Sequence, residues 1–399
     1  MKAPKPTTTA RRQFIKNAAI LAPAITLFPS WLTASTGSRL RIAFIGAGTW
    51  GQQYLQTALQ HKGIDVRAIC EHDATAVQQT KQIFGKAGIA LPALYNEGSA
   101  HYKKLLARTD VDAVIIATPW HTHYEIARAA LLAGKHVACG AIMGSTVEEH
   151  WDIVNTSKQT GRQYVTLDEQ SYRRDLMAVS NLVNEGKLGE LKSIHAGAAY
   201  ASLSNEATDN RQPYPVYPAT ATANLLGISA DNHYVSLSVQ QCKQDYVVSK
   251  VHSKTNKRYN YVTHGLVNTI HLGTSNNQSV ILQSNFNKEE SISTGFRLLA
   301  TGGSWMDIWK QVQITGENSI RLSVEDNNAH WNTGLAQYKQ APVEENLAMA
   351  LHEFVSAVQQ PAKENLPVYA AATNSVIGVL AHQSAKQGGA AIQFPNFYS

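Results

Sequence analysis

The strongest constraint on the fold of this chain is a glycine-containing turn between an apolar strand and a helix. Leu40–Ile45 is an apolar, β-branched run typical of a strand buried on both faces. It leads into Gly-Ala-Gly-Thr-Trp-Gly at 46–51, after which apolar residues recur at helical spacing. The first glycine permits a tight turn, the second lets a pyrophosphate approach the backbone, and the third lets the helix pack on the strand. This order predicts an α/β domain with a doubly wound parallel sheet and a dinucleotide site at the turn, formed by Gly46, Gly48, Thr49, Trp50 and Gly51.

An acidic residue after the second strand indicates which dinucleotide binds. Asp65–Cys70 reads as that strand, and Glu71 follows it about 20 residues after the turn, the distance expected of a ribose-binding acid. A carboxylate accepts a hydrogen bond from a free 2′-hydroxyl and repels a 2′-phosphate, so Glu71 favours NAD over NADP. The alternative is a structural glycine turn in a sheet that binds no ligand.

A third apolar run, Asp110–Ala117, continues the predicted parallel sheet. Pro119 ends this strand and directs the following loop across the carboxyl end of the sheet, where ligands bind in open α/β folds. His121 and His123 lie on the loop, but no third ligand accompanies them in sequence. The sequence therefore predicts no metal site.

The glycine turn and residues 111–139 together resemble the nicotinamide-binding domain of the Gfo/Idh/MocA family, over residues 40–165. The resemblance implies a Rossmann domain followed by a carboxyl-terminal α+β domain. That second domain would carry an open, mainly antiparallel sheet that binds a sugar-like substrate. It also implies that the cofactor pocket is lined by Thr118, Pro119, His121 and His123.

Two segments of the chain depart from the family pattern. Where the family carries Glu-Lys-Pro, this chain has Gly140, Ala141 and Ile142, so the ammonium that assists proton transfer is absent. Gly140 is still expected beside the cofactor. A second family motif, Asp-x-Gly-x-His on a helix, is scrambled in Leu225–Tyr234 and leaves two titratable candidates, His233 and Asp231, of which His233 is the candidate acid or base.

A narrower resemblance, to glycoside hydrolase family 109, covers Thr146–Leu191 and Leu366–Phe397. In that branch the lysine is also missing, and NAD is recycled while a glycosidic bond is split. The match places Tyr172 where that branch has a conserved tyrosine, after an acidic residue matched by Glu169. Tyr172 is the first candidate for proton transfer, and His233 is the second. Glu169 is a candidate for binding the cofactor amide or sugar hydroxyls, with a salt bridge at the start of a helix as the alternative.

Beyond Leu191 the pattern changes to short β-rich runs, which favour antiparallel pairing. Apolar residues between Leu347 and Val358 predict an amphipathic helix. Residues 201–224, rich in Ser, Thr, Asn and Pro, are expected to form an irregular stretch, either a cleft loop or a solvated connector. The expected organisation is a signal segment at 1–38, a Rossmann domain at 39–165 and a second domain at 166–399.

The charge distribution argues against nucleic-acid binding. Residues 1–38 hold five Lys and Arg and no acid, out of a net charge of +6, so the rest of the chain is nearly neutral. Arg11 and Arg12, followed by a short apolar stretch at Asn17–Phe28, resemble a twin-arginine export signal. The expectation is an exported or periplasmic protein that uses the twin-arginine machinery, with a membrane tether if the signal is not cleaved.

Together these features predict an exported, NAD-dependent enzyme acting on a sugar or glycoside, in a glycosidase-like reaction without net redox change. The alternatives are a net sugar oxidoreductase and a non-catalytic sugar- or dinucleotide-binding protein. Relatives in the Gfo/Idh/MocA family often pair through their sheets, so a homo-oligomer is expected by resemblance. A hydrophobic content of 44% and a mean hydropathy of −0.23 exclude a disordered or polytopic membrane chain.

Overall fold

The computed structural model describes residues 39–201, 218–251, 258–287, 292–315, 320–321, 345–361 and 366–399. These residues build two sheets with helices packed on them. No helix within the described ranges has the length and apolar character needed to cross a membrane. The predicted fold class, a parallel sheet followed by a mainly antiparallel one, is confirmed.

The first sheet has six strands, all paired in parallel, in the order β3-β2-β1-β4-β5-β6. This is the strand order of a dinucleotide-binding Rossmann sheet. Strands β2 and β3 are added on one side of β1 and the next three strands on its other side, so the topological switch point lies between β1 and β4. The strands are β1 (Leu40–Ile45), β2 (Ile64–Cys70), β3 (Ala93–Tyr95), β4 (Ala113–Ile116), β5 (His136–Cys139) and β6 (Tyr164–Thr166). The helices of this part are α1 (Thr49–Gln60), α2 (Ala74–Ala87), α3 (Tyr102–Leu106), α4 (His123–Leu132) and α5 (Val147–Thr160).

The second sheet has nine strands in the order β14-β13-β12-β11-β7-β10-β9-β8-β15. Its strand pairs are antiparallel except β7 with β10, which run parallel. The strands are β7 (Leu191–Ala201), β8 (Tyr234–Val251), β9 (Arg258–Thr274), β10 (Ser279–Asn287), β11 (Ile292–Ala300), β12 (Gly303–Met306), β13 (Gln311–Ile314), β14 (Ile320–Arg321) and β15 (Ile392–Gln393).

Four further helices follow β6 in the described part of the chain: α6 (Arg174–Asn184), α7 (Pro218–Leu226), α8 (Glu345–Gln359) and α9 (Pro367–Lys386). The amphipathic helix predicted from Leu347 to Val358 is confirmed as α8. Its apolar face, including Leu351 and Phe354, joins the same hydrophobic cluster as β1 and α1. Helix α8, from the carboxyl-terminal part of the chain, therefore packs in the hydrophobic core of β1 and α1, the two elements that flank the glycine turn.

Two expectations about the second domain need correction. The irregular stretch expected at 201–224 ends at Pro218, where α7 begins, because proline is favoured at the first position of a helix. The remainder of that stretch, 202–217, lies outside the described residues. The short runs expected around residues 246 and 268 are parts of the long hairpin β8–β9, whose strands have 18 and 17 residues.

Candidate active site

The turn after β1 is packed so tightly that only glycine fits at two of its positions. Gly46 has a φ of +92°, and a Cβ there would lie 2.6 Å from the carbonyl carbon of Ala117. A Cβ on Gly51 would lie 2.6 Å from the carbonyl oxygen of Gly46. The turn, the loop after β4 and the start of α1 therefore touch backbone to backbone, as the sequence predicts.

Gly48 differs from its two neighbours because no atom of the described residues lies within 4 Å of the position that its Cβ would take. It caps α1 without a side-chain hydrogen bond, and the first turn of that helix has no acidic residue. The amide groups and the positive end of the helix dipole are therefore uncovered at an open position. This cradle fits the pyrophosphate of a dinucleotide.

Glu71 is fixed against the same turn. One carboxylate oxygen accepts a hydrogen bond from the backbone N–H of Ala47 at 2.7 Å. The other accepts from His72 and Asp73 at 2.8 and 2.9 Å. Glu71 is only 8% exposed. The Glu71 carboxylate, which the sequence predicts to face the ribose, is therefore held in place beside the glycine turn.

The remaining predicted residues of the cofactor pocket also follow the carboxyl ends of parallel strands. Thr118 and Pro119 come after β4, and the Thr118 hydroxyl accepts a hydrogen bond from Thr122 at 2.7 Å. Gly140 comes after β5, and a Cβ there would contact the rings of His123 at 3.5 Å and Trp50 at 3.9 Å. The structure thus brings the glycine turn and both loops to one edge of the sheet; their contacts with a ligand stay predictions.

His121 and His123 have different surroundings. His121 is exposed, on a short 3₁₀ turn at Trp120–Thr122. His123 is 2% exposed. Its ring nitrogens lie 2.7 Å from the carbonyl oxygen of Ile142 and 2.8 Å from that of Thr118. His123 therefore contacts the backbone beneath the pocket, and both of its ring nitrogens are already in use.

Trp50, Tyr54 and Glu169 form a cluster that joins α1 to the segment after β6. The rings of Trp50 and Tyr54 have centroids 4.4 Å apart. The Tyr54 hydroxyl donates to Glu169 at 3.1 Å. Burial, with the nearby Glu169 carboxylate, raises the pKa of Tyr54 well above its usual value. Tyr54 is therefore a hydrogen-bond donor that positions Glu169, a role that its place on an apolar helix face did not predict.

Asp168 is a second residue that the sequence did not single out. It accepts hydrogen bonds from the Gln170 amide at 3.1 Å and the Ser171 hydroxyl at 3.0 Å, and its side chain also bonds Thr220 of α7. Burial above all, and then the Glu169 carboxylate, raise the pKa of Asp168 to about 6. The available signal was its position directly after β6, at the ligand-binding edge of the sheet.

Tyr172 ends the 3₁₀ segment Glu169–Tyr172, and its ring packs against Met177 and Met349. The two arginines that follow are held in ion pairs. Arg173 binds Asp175 at 2.5 Å and Asp307 at 3.0 Å, and Arg174 binds Glu345 of α8. The Tyr172 segment is therefore anchored by ion pairs to α8 and to the second sheet.

His233 lies apart from the helical setting that the family motif implies. Helix α7 ends at Leu226, and His233 belongs to the loop before β8. Its backbone exchanges hydrogen bonds with Ser275, in the turn between β9 and β10. Its Nδ1 is buried and has no hydrogen-bond partner among the described residues. Its role as an acid or base stays a prediction.

Metal ligation finds no support in the described part of the chain, where no group of three or more His, Cys, Asp or Glu side chains could hold an ion. A dinucleotide, in contrast, fits the residues present. Gly48 leaves open space at a helix N-terminus, and Glu71 presents a fixed carboxylate next to it. These two features would hold the pyrophosphate and the ribose, respectively.

Comparison with known families agrees with this geometry. Residues 40–167 match the oxidoreductase family with an NAD-binding Rossmann fold, and residues 198–399 match the carboxyl-terminal domain of glycosyl hydrolase 109. The chain is 28% identical to a glycosyl hydrolase family 109 protein of Stenotrophomonas maltophilia, covering 97% of this chain and 95% of the relative. It is also 28% identical to an alpha-N-acetylgalactosaminidase of Tannerella forsythia, over 90% of this chain and 86% of that protein.

Solved structures share the fold at low sequence identity. An inositol dehydrogenase homologue from Azotobacter vinelandii in complex with NAD+ superimposes with a TM-score of 0.66 at 17% identity, covering 90% of this chain and 98% of that one. An oxidoreductase from Agrobacterium radiobacter, also bound to NAD+, gives 0.65 at 15% identity, with coverage of 90% and 99%. The amino-terminal sheet is thus an NAD-binding Rossmann domain. With the carboxyl-terminal model spanning just over half of its residues, the chain belongs to glycosyl hydrolase family 109 and is an NAD-binding enzyme.

Proposed function

We propose that this enzyme cleaves glycosides while retaining one molecule of NAD, with no net oxidation of the sugar. The observation that carries the proposal is the open cradle at Gly48 beside the fixed Glu71 carboxylate, in a chain whose second half matches the glycosyl hydrolase 109 domain. An alpha-N-acetylgalactosaminidase is among the relatives, so α-N-acetylgalactosaminides are the first substrates to test.

The side chains around the site supply binding and proton transfer. When bound, NAD provides a reversible hydride acceptor for a sugar carbon. Glu71 holds its ribose, and Glu169, positioned by Tyr54, presents a carboxylate at the edge of the site. Tyr172 is the proposed proton-transfer residue, with His233 second. Asp168 can hold or release a proton close to neutral pH, since burial, reinforced by Glu169, raises its pKa to about 6.

The direct test follows two signals in one reaction. Purified enzyme with NAD is mixed with 4-nitrophenyl α-N-acetylgalactosaminide, and nitrophenol and NADH absorbance are recorded together. Sustained nitrophenol release without net accumulation of NADH is expected. Stoichiometric NADH without nitrophenol would instead indicate net sugar oxidation, and the absence of both signals over a panel of glycosides would refute the proposal.

Two matched glycine variants separate cofactor binding from folding. A Cβ at Gly48 or at Gly85, in α2, meets no atom of the described part of the chain within 4 Å, so both Gly48→Val and Gly85→Val should fold. Only Gly48→Val fills the cradle. It is expected to lose NAD binding and nitrophenol release, whereas Gly85→Val keeps both. Equal NAD affinity of the two variants would contradict the proposed position of the pyrophosphate.

Tyr172→Phe tests the proposed proton transfer. Loss of the hydroxyl should lower kcat by about 10²–10⁴ while NAD binding is unchanged. Tyr124→Phe is a control, because the Tyr124 hydroxyl donates to Asp152 of α5, and neither residue belongs to the proposed catalytic or cofactor-binding set. A normal kcat in Tyr172→Phe would transfer the assignment to His233, to be tested by His233→Gln.

We further propose that the enzyme is exported by the twin-arginine route, which carries folded proteins and would let NAD cross with its enzyme. The support is Arg11 and Arg12 ahead of a short apolar stretch. Fractionation of cells that express the full chain should find it in the periplasm. The double variant Arg11→Lys/Arg12→Lys should stay in the cytoplasm, and unchanged export of that variant would exclude this route.

A further inference from the structure

Both ring nitrogens of the buried His123 lie within hydrogen-bond distance of a backbone carbonyl oxygen. Nδ1 lies 2.7 Å from the Ile142 carbonyl oxygen, and Nε2 lies 2.8 Å from the Thr118 carbonyl oxygen. A backbone carbonyl oxygen only accepts hydrogen bonds. A neutral imidazole has one donor and one acceptor nitrogen, whereas the imidazolium ion has two donors. Both contacts are therefore hydrogen bonds only when the ring carries a positive charge.

The surroundings make this buried charge tolerable. Burial lowers the pKa of His123, but the Cys139 side chain and the two carbonyl groups raise it more, to about 9. Cys139 is at the end of β5, and Tyr164 of β6 lies next to Cys139. Charge-assisted hydrogen bonds are about twice as strong as neutral ones.

His150 is a contrasting case in the same region. Its Nδ1 contacts the Thr146 carbonyl oxygen and its Nε2 contacts the Ser375 hydroxyl, a combination that suits a neutral ring.

The two carbonyl groups belong to the two loops that border the proposed cofactor site. Thr118 lies in the loop after β4, next to the glycine turn, and Ile142 lies in the loop after β5, which replaces the family's Glu-Lys-Pro. The ring edge of His123 also approaches the pocket: its Cε1 would lie 3.5 Å from a Cβ on Gly140. A single side chain therefore links both loops and lies directly below Gly140.

We propose that His123 is a positioning residue, an imidazolium at neutral pH that ties the loop after β4 to the loop after β5 and thereby fixes the floor of the dinucleotide site. This inference rests on the proposed cofactor site for its consequence, but the charge and the tie are properties of the protein alone. The charge also gives the floor a positive group in a chain that lacks the family's lysine.

The charge state is tested on the wild-type enzyme without substrate. Nitrogen-15 NMR of histidine-labelled full chain, with the His123 signals identified by their loss in His123→Gln, distinguishes imidazolium from neutral rings. At about pH 7 both ring nitrogens should give protonated signals, with titration near the pKa of about 9. One protonated and one unprotonated nitrogen at that pH would overturn the proposal, whether or not NAD binds.

The tie between the loops is tested by hydrogen exchange of His123→Gln. We expect faster exchange in both residues 117–122 and 140–145, and NAD binding weakened at least about tenfold. The control is His136→Gln, at the opposite end of β5, where His136 accepts from the Gln163 amide. That variant should leave both loops and the NAD affinity unchanged. Unchanged exchange in both loops of His123→Gln would refute the positioning role. If the wild-type enzyme binds no NAD, the proposed function fails. The hydrogen-exchange data would still show whether His123 links the two loops.

Discussion

At the scale of single residues, the glycine turn combines a backbone requirement with a packing requirement. Gly46 has a positive φ, and a Cβ there would clash with Ala117. Gly88, the C-cap of α2, has a φ of +67°, but a Cβ there would have no described atom within 4 Å. The two positions separate the cost of the left-handed conformation from the cost of the clash. Both costs are features of the backbone and exist without ligand.

Gly46→Ala is expected to lower the free energy of unfolding by at least about 2 kcal/mol more than Gly88→Ala does, because only Gly46→Ala adds overpacking to the conformational cost. Urea unfolding of the NAD-free enzyme measures both. Equal losses in the two variants would mean that the loop after β4 can move away from the turn.

Asp168 predicts a pH dependence of stability with a defined sign. Burial, then Glu169, raise its pKa from 3.8 to about 6, so the folded enzyme holds this proton more tightly than the unfolded chain. Stability from this group is complete below the unfolded pKa and is lost as pH rises from about 4 to about 7. Relative to the wild type, Asp168→Asn should gain up to roughly 3 kcal/mol over that interval.

Urea unfolding at a series of pH values checks this, and Asp112→Asn is the control with the opposite sign. Hydrogen bonding by Arg41 holds the pKa of Asp112 below its usual value, so its stabilising contribution is lost as pH falls. Asp112→Asn should therefore lose stability relative to the wild type as pH rises. A pH-independent difference for Asp168→Asn would show that its carboxyl group is not the titrating group.

At the scale of elements, two helices hold the loop after β5 by hydrogen bonds: α4 through His123 and α9 through Ser375. Ser375 of α9 accepts from the Met143 amide at 2.7 Å, and its hydroxyl lies 2.8 Å from His150 of α5. His150 in turn contacts the Thr146 carbonyl. One serine hydroxyl therefore connects a helix near the carboxyl terminus to a loop of the Rossmann domain.

Ser375→Ala leaves the Met143 amide and the His150 Nε2 without this partner, and should cost about 2–4 kcal/mol. Hydrogen exchange at Met143 should increase. Ser384→Ala, in the same helix, removes a hydroxyl that accepts from the Val239 amide and donates to Ala390. That variant should affect Val239 and not Met143, and increased exchange at Met143 in both would mean that α9 loosens as a whole.

The sequence predicted the elements around the turn because their signals are local. Apolar runs, the glycines and Pro119 place β1, α1 and the loop after β4 within a few residues, although the run expected at Asp110–Ala117 gives a strand of only four residues. The contacts between segments far apart in sequence could not be predicted in this way. The hydrogen bonds of His123 to two loops and of Asp168 to Thr220 depend on packing that no local pattern encodes.

At the scale of the whole molecule, NAD binding should stabilise the folded state in proportion to the ligand concentration. At about 100 times its Kd, NAD should raise the free energy of unfolding by about 2.7 kcal/mol. NADP at the same concentration should give a smaller rise, because its 2′-phosphate would have to lie beside the Glu71 carboxylate, which three backbone amides hold against the glycine turn. Thermal unfolding with each cofactor checks this, and Glu71→Ser should narrow the difference. Equal rises from the two cofactors in the wild type would place Glu71 away from the ribose.

The hydrogen bond between Met143 and Ser375 spans 232 residues of chain. During synthesis, the Rossmann strands leave the ribosome long before α9 does, so the loop after β5 lacks its last anchor until almost the whole chain has been made. We therefore expect this loop to reach its final position only after release of the polypeptide. The final placement of the loop thus depends on the last helix of the chain, whereas the glycine turn is complete much earlier in synthesis.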